Sequence, residues 1–291
     1  VNGNVIVTQG RLQSASGAGT FSVLGNTTIS ANGILDINGG TYNQRGTTFT
    51  NDGTLTAVAS TARLAFAPLT SIPQTFAGSV TVLTNIGGLS LSNPAGLTIT
   101  HTNQIITLRV NLFQGTITGS NKITFGTGSA SCITQIGSTG LTTAGGSFDV
   151  SPIFNLGTGT YGVIYSEESS IRTTGFEIPP TRSVSNITNS NLNGLVLAGG
   201  NLATAALTFS AGCGNITTSS SNVLTITGTA TTAITRTSTT AYVNGPLELT
   251  LPASLVSGST YLFPVGKTSI SPFELINPTT NAGGTVVVRA E

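Results

Sequence analysis

The chain has 291 residues, of which only 7% are charged, with a formal net charge of +1 and 37 glycines. Its apolar residues come as alternating singles and short runs such as Gly194-Leu195-Val196-Leu197, far short of the roughly 18–20 consecutive apolar residues of a spanning helix. The ten basic residues are scattered singly, which excludes the clustered footprint that nucleic acid requires.

Polarity comes instead from Thr, Ser, Asn and Gly, which hydrate or turn the backbone without carrying charge. Thr is β-branched and favours strands. Good helix formers are scarce, with no Met, two Lys and six Glu. The composition predicts an all-β chain.

In chain order, the first 60 residues carry a short repeat. Gln9-Gly10-Arg11-Leu12, Asn32-Gly33-Ile34-Leu35 and Asp52-Gly53-Thr54-Leu55 are spaced 23 and then 20 residues apart. Each places a turn dipeptide before an alternating strand, with Gly supplying the positive φ expected at a corner. Alternation sends one side chain inward and the next outward. Such a period predicts one coil of a parallel β-solenoid; a hairpin meander is the alternative that gives similar local text. Residues 61–83, with Pro68 and Pro73, read as a joint or a widened coil.

Two longer copies follow. Gly115-Thr116-Ile117-Thr118 matches Gly214-Asn215-Ile216-Thr217, and Gly146-Ser147-Phe148-Asp149-Val150 matches Gly245-Pro246-Leu247-Glu248-Leu249, each at an offset of 99. Phe176-Glu177 likewise meets Phe273-Glu274. Each copy opens on the same corner, Ala95-Gly96-Leu97-Thr98 or Asn193-Gly194-Leu195-Val196. Each ends in a less regular stretch, Ser151-Pro152-Ile153-Phe154 or Tyr261-Leu262-Phe263-Pro264, expected to leave the solenoid as a flanking hairpin or small sheet. Thr173 to Ser190, with Pro179-Pro180, reads as the joint between copies.

The division expected is therefore 1–83, solenoid coils; 84–183, a first long β repeat; and 184–291, a second. The fold expected is an elongated parallel β-solenoid (β-helix) with tandem repeats of ~100 residues. Thr285-Val286-Val287-Val288 is strand-like text with no polar cap, which predicts contact beyond residue 291, covalent or by subunit stacking. Val1 opens the sequence without an initiator Met or a signal peptide, which reads as a mature or excised piece of a longer polypeptide.

Ala241-Tyr242-Val243-Asn244-Gly245-Pro246-Leu247, then Tyr261-Leu262-Phe263-Pro264-Val265-Gly266 and Pro272-Phe273, resemble very large secreted surface proteins of Bacteroidota-type bacteria. So does Asn93-Pro94-Ala95-Gly96-Leu97-Thr98. The likeness covers about residues 84–291. It implies export by the type IX route and a role as adhesin, stalk or matrix component at the cell surface. The first copy departs from the pattern, with Tyr161-Gly162-Val163-Ile164-Tyr165-Ser166 where the second has Phe-Pro-Val-Gly.

Groups for catalysis are few: three Asp, six Glu and His101. Asp149 and Glu248 match between copies, as do Glu177 and Glu274, and read as inherited structural or solvated decoration. Glu167-Glu168 is the only acidic pair, and adjacent strand residues point to opposite faces. His101 has no second histidine and reads as a polar residue at a coil corner. Cys132 and Cys213 occupy different positions in the two copies and are expected as free thiols. No enzyme activity, cofactor or metal is expected.

Thr98-Ile99-Thr100, Thr116-Ile117-Thr118 and Thr225-Ile226-Thr227 would present Thr98, Thr100, Thr116, Thr118, Thr225 and Thr227 outward while Ile packs inside. Stacked on a flat face, such pairs resemble the ice-binding surfaces of Thr-array proteins; ordinary strand surfaces also favour Thr. The reading taken is a non-catalytic structural or adhesive segment of an extracellular fibre, stalk or matrix. Its expected partners are further copies, more chain or surface glycans. The alternatives are a Thr-array ice-binding or glycan-binding solenoid and, behind them, a polysaccharide-cleaving β-helix.

Overall fold

The computed structural model of the chain describes residues 1–14, 17, 19–57, 61–79, 86–253, 258–276 and 283–289. They form an all-β fold of parallel stacked coils, a β-solenoid, and the one helix among them is the single 3-10 turn Ser120–Lys122. None is long and apolar enough to cross a membrane. The chain divides into two compact units, Val1–Gly137 with Ala144–Tyr161 and Ser138–Thr143 with Gly162–Glu291. The boundary drawn between residues 83 and 84 lies outside the described residues.

In the first unit the short repeat is the rung-to-rung step. Gln9, Gly10 and Leu12 pair with Asn32, Gly33 and Leu35, and Leu35 pairs in turn with Leu55, all in parallel. One sheet continues through Thr48–Asn51, Gln74–Ala77, Leu97–Ile99, Thr116–Thr118 and Ser147–Phe148. A second runs from Thr20–Val23 through Thr41–Gln44, Arg63–Phe66, Gly88–Ser92 and Arg109–Gln114 to Cys132–Ile136. A third joins Ile105–Thr107, Ile123–Phe125 and Ile153–Phe154. The parallel register rules out the meander for these coils.

Period-2 alternation fills the interior. The file Val5, Thr27, Phe49, Phe76, Ile99 runs inward rung upon rung. Phe49 meets Phe76 edge-on at 5.2 Å between ring centres and Phe66 at 6.2 Å, while Phe21 stacks on Tyr42 at 5.4 Å. Thr27, the polar member, gives its hydroxyl hydrogen to Gln44 Oε1 at 2.6 Å, and its oxygen lies 2.8 Å from Tyr42 Oη, which leaves Tyr42 to donate that bond. Burial drives the Tyr42 phenol up to about 12, with the Thr27 bond acting against it.

The corner glycines work in two ways. Gly10, Gly96 and Gly194 have φ of 75, 85 and 87°, as expected of corners. Gly33 and Gly53 do not; a Cβ there would overlap the carbonyl oxygens of Val7 and Ser30 on the rung before. Close approach of rungs, not a left-handed backbone, requires them.

The second unit is wound on two parallel sheets. One takes Gly162 to Tyr165, Ser183–Asn189, Leu202–Phe209, Leu224–Ile226 and Leu247–Leu251, with Ile234–Arg236 also on Leu202–Phe209. The other takes Arg172–Thr173, Leu195–Val196, Ile216–Thr217 and Val243–Asn244. Its interior is mostly aliphatic, with Ile187, Leu195, Leu202, Leu207, Ile216 and Leu224 buried.

Several local expectations need correcting. Ile153–Phe154 is a parallel coil strand, whereas Thr260–Phe263 does form a hairpin, antiparallel with Phe273–Ile276. Ser183–Asn189, inside the segment read as a joint, is a central strand paired on both edges. Arg63–Phe66 and Gln74–Ala77, inside residues 61–83, are rungs of the stack, which corrects the joint; the other reading, a widened coil, fits the step of 27 residues from Phe49 to Phe76 against 22 from Thr27 to Phe49. Gly284–Val288 folds back antiparallel onto Leu247–Leu251 instead of continuing the parallel ladder.

The two long copies share their first corner in atomic detail. Asn93 donates Nδ2 to the Gly96 and Ile72 carbonyls and accepts the Ala95 amide; Asn191 does the same with Gly194, Ser170 and Asn193. At the next rung Leu97 pairs with Ile117 and Leu195 with Ile216. The third rung parts them. Ile117 pairs with Phe148, but Ile216 pairs with Val243, and Leu247 sits on the other sheet against Leu224.

Candidate functional site

Every rung that alternates sends a polar residue to the surface, so a parallel in-register stack turns one residue type into a file. On the first unit Thr48, Thr75, Thr98 and Thr118 pair rung by rung into such a file. Beside it, two residues further along each strand, run Thr28, Thr50 and Ala77, with Thr100 continuing beyond Ile99. Rungs are ~4.8 Å apart, and the two files ~6.7 Å apart along the strand. Thr98, Thr100, Thr116 and Thr118 are exposed and Thr28, Thr48, Thr50 and Thr75 half-buried. The Thr48, Thr75, Thr98 and Thr118 hydroxyls bond to no protein group among the described residues, so they face solvent with full hydrogen-bonding capacity.

Thr116 stands outside these files, its Oγ1 3.0 Å from Ser147 Oγ. Thr227 is exposed. Thr225 is half-buried between Ala203 and Glu248, and donates to Glu248 Oε2 at 2.7 Å. The second unit's own threonine file is Thr188, Thr208 and Thr235. Sequence reasoning missed it and also Thr48 and Thr75. The available signal was the aliphatic-Thr dipeptide at Ile187-Thr188, Leu207-Thr208 and Ile234-Thr235, spaced like successive coils.

The acids are dispersed and engaged in local bonds. Asp36 pairs with Arg11 and accepts from Thr56 at 2.9 Å. Asp52 accepts the Ser79 amide and hydroxyl. Asp149 accepts the Gly119 and Ser120 amides at 2.9 and 3.0 Å and the Ser120 hydroxyl at 2.6 Å. Partial burial works to raise its pKa, but those hydrogen bonds outweigh it and hold the carboxyl below its ordinary value. Glu248, its sequence match, has a different partner.

Glu177, 1% exposed, accepts from Tyr165 Oη and the Gly175 amide at 2.8 Å each, whereas its match Glu274 is exposed on the hairpin. Beside Glu177, Arg182 (φ 55°) donates to the Ala198, Gly200 and Asn201 carbonyls. Burial lowers its pKa, while the charges of Tyr165 and Glu177 act to raise it. Glu168 lies 3.6 Å from Arg172, and Glu167 accepts the Gly140 amide.

His101 sits at the corner between Leu97–Ile99 and Ile105–Thr107. It is fully buried against the Phe76 ring at 5.7 Å, its Nδ1 3.2 Å from the Asn103 amide. Cys132 and Cys213 are free and buried, and burial pushes both thiols up to about 11. Among the described residues no three His, Cys, Asp or Glu side chains are placed to hold a metal ion. An open depression of about 480 Å³ in the second unit is lined by Lys267, Arg289, three hydroxyl residues and Phe273.

The surface is thus one of neutral hydroxyl files on a parallel β-solenoid. No protein-family model matches the chain, nor does any curated protein or solved structure.

Proposed function

We propose that this chain is a non-catalytic structural and adhesive segment of an extracellular fibre, stalk or matrix protein. The observation that carries the reading is the nine-residue strand Val5–Gln13, which pairs with Thr27–Asp36 on one edge and, among the described residues, with nothing on the other. An open ladder edge of that length is a template for another strand, supplied by a second copy or by further chain. The +1 net charge adds little electrostatic resistance to lateral packing. The cell-surface setting and type IX export rest on the resemblance over residues 84–291. The local commitment of most carboxylates supports the non-catalytic part over a polysaccharide-cleaving enzyme, which needs acids converging on one groove.

Electron microscopy of the purified chain across a concentration series tests this reading. Linear or laterally packed assemblies are expected, reduced by Ile6→Lys, which puts a charge on the open edge. Dispersed single particles at every concentration would contradict it.

The in-register threonine files favour a second reading, that the first unit's face orders water as an ice-binding surface. Thermal hysteresis abolished by Thr75→Lys with Thr98→Lys would select it; no hysteresis in the unaltered chain would remove it.

A further inference from the structure

The second sheet of the first unit carries an outward file in which Arg63 pairs with Gly88, and Arg109 precedes Val110 as Gly88 precedes its partner Leu89. Two arginines therefore face outward two rungs apart with no side chain between them. Arg63 leans over the gap, since a Cβ on Gly88 would lie 3.2 Å from Arg63 Cγ, and Arg109 borders it, its Cβ 3.8 Å from that position.

Among the described residues neither guanidinium has a carboxylate partner. The first unit's sequence holds three acids, Asp36, Asp52 and Asp149, and each is bonded elsewhere, to Arg11, Ser79 and Ser120. Arg63 Nε is buried without a partner among the described residues. Arg109 is oriented by its neighbours: its Nε donates to Asn111 Oδ1 at 3.1 Å, and Asn111 Nδ2 donates to Ser90 Oγ at 2.9 Å. Burial and the nearby Arg63 charge both act against the charged form of Arg109. A like-charged pair, partly desolvated and uncompensated, costs stability unless an anion sits between its members.

We propose that Arg63 and Arg109, opposed across the Gly88 gap, bind a carboxylate or sulfate group of an acidic polysaccharide. The planar guanidinium fork matches both oxyanions. The same face offers Thr41, half-buried and in register with Arg63, to a hydroxyl-rich chain. Single-stranded nucleic acid fits less well, because its closely spaced phosphates call for a run of cations and for aromatic platforms. The proposal deepens the adhesive reading and rests on it.

Calorimetric titration with polygalacturonate, dextran sulfate and neutral dextran tests it, the first two separating carboxylate from sulfate. Binding of at least one acidic polymer and not of neutral dextran is expected. Arg63→Gln and Arg109→Gln should each weaken it about tenfold, and Gly88→Val, which fills the gap, should weaken it comparably. Melting temperatures of the two Gln variants should equal or exceed that of the unaltered chain, since each relieves like-charge repulsion; a purely structural role would lower them. No binding by the unaltered chain, undiminished binding by the variants, or equal binding of single-stranded DNA overturns the proposal. Assembly of the Gln variants, seen by electron microscopy, separates its failure from that of the fibre reading.

Discussion

The two units solve the same problem, filling the inside of a wound coil, with different side chains. The first packs rings: Phe49, Phe66, Phe76 and Tyr42 early, then Phe125, Phe154 and Tyr161 at centroid distances of 4.9–5.3 Å. The second packs mostly Leu and Ile, ties Tyr165 to Glu177, and ends in an antiparallel strand and hairpin. The surface differs as well. The first unit lays the file Thr48, Thr75, Thr98, Thr118 beside a second file broken only at Ala77, whereas the second unit has the shorter file Thr188, Thr208, Thr235 and sets Thr225 between Ala203 and Glu248. Winding sets what can be stacked; the residue at each rung decides whether a continuous surface results.

The contrast in core chemistry predicts the largest effect. Phe76 is 1% exposed and touches Phe49, Phe66 and His101, so Phe76→Ala should cost ~3–5 kcal/mol. Hydrogen exchange should show the loss in first-unit amides while second-unit amides keep their protection. Leu207→Ala should give the mirror result at ~2–5 kcal/mol, and loss of protection in both units from either variant would break the comparison.

Gly115 comes next. Its φ is 83° and a Cβ would overlap the Asn93 carbonyl, so Gly115→Ala should cost at least ~1–3 kcal/mol in urea unfolding. Asn93→Ala and Asn191→Ala then test the device that the units share. Each loses two hydrogen bonds donated by Nδ2 to carbonyls and one amide bond accepted by Oδ1, so each should cost ~1–3 kcal/mol, and the two losses should be alike.

A smaller, pH-dependent effect belongs to Asp149. Its folded-state pKa lies below the unfolded value, so its contribution is complete above ~3.9 and is lost as pH falls through the lower folded value. The melting temperature of Asp149→Asn should therefore lack part of the acid-side decline seen in the unaltered chain. Smallest of all, Cys132 and Cys213, with pKa about 11, should resist thiol reagents at pH 8 in the folded chain and react on unfolding.

The winding was legible because a solenoid writes its pitch into the sequence. Leu12, Leu35 and Leu55 recur at the spacing of one coil, and their neighbours alternate as a half-buried strand must. The shared corner was legible for the same reason: Gly96 and Gly194 mark it, although the buried Asn three residues before each does the bonding. Which sheet a strand joins was not legible. Leu247 matches Phe148 in sequence yet stacks on Leu224, because the coil between Ile216 and Val243 is of different length from that between Ile117 and Phe148. The surface depends on that pairing, so Thr225 could be picked out as a strand threonine but not as the neighbour of Glu248. Arg63 and Arg109 likewise become a pair only once Gly88 is known to lie between them.

Stacking in register is the claim beneath all of this, and a distance measured across many rungs tests it most directly. Ile6 and Thr100 lie 94 residues apart in sequence, on one file four rungs apart. Spin labels at Ile6→Cys and Thr100→Cys, in a background lacking Cys132 and Cys213, should give a narrow dipolar distribution centred near ~19 Å, four steps of ~4.8 Å. A broad distribution, or one centred beyond ~30 Å, would contradict a parallel stack whose rungs follow the ~4.8 Å strand spacing.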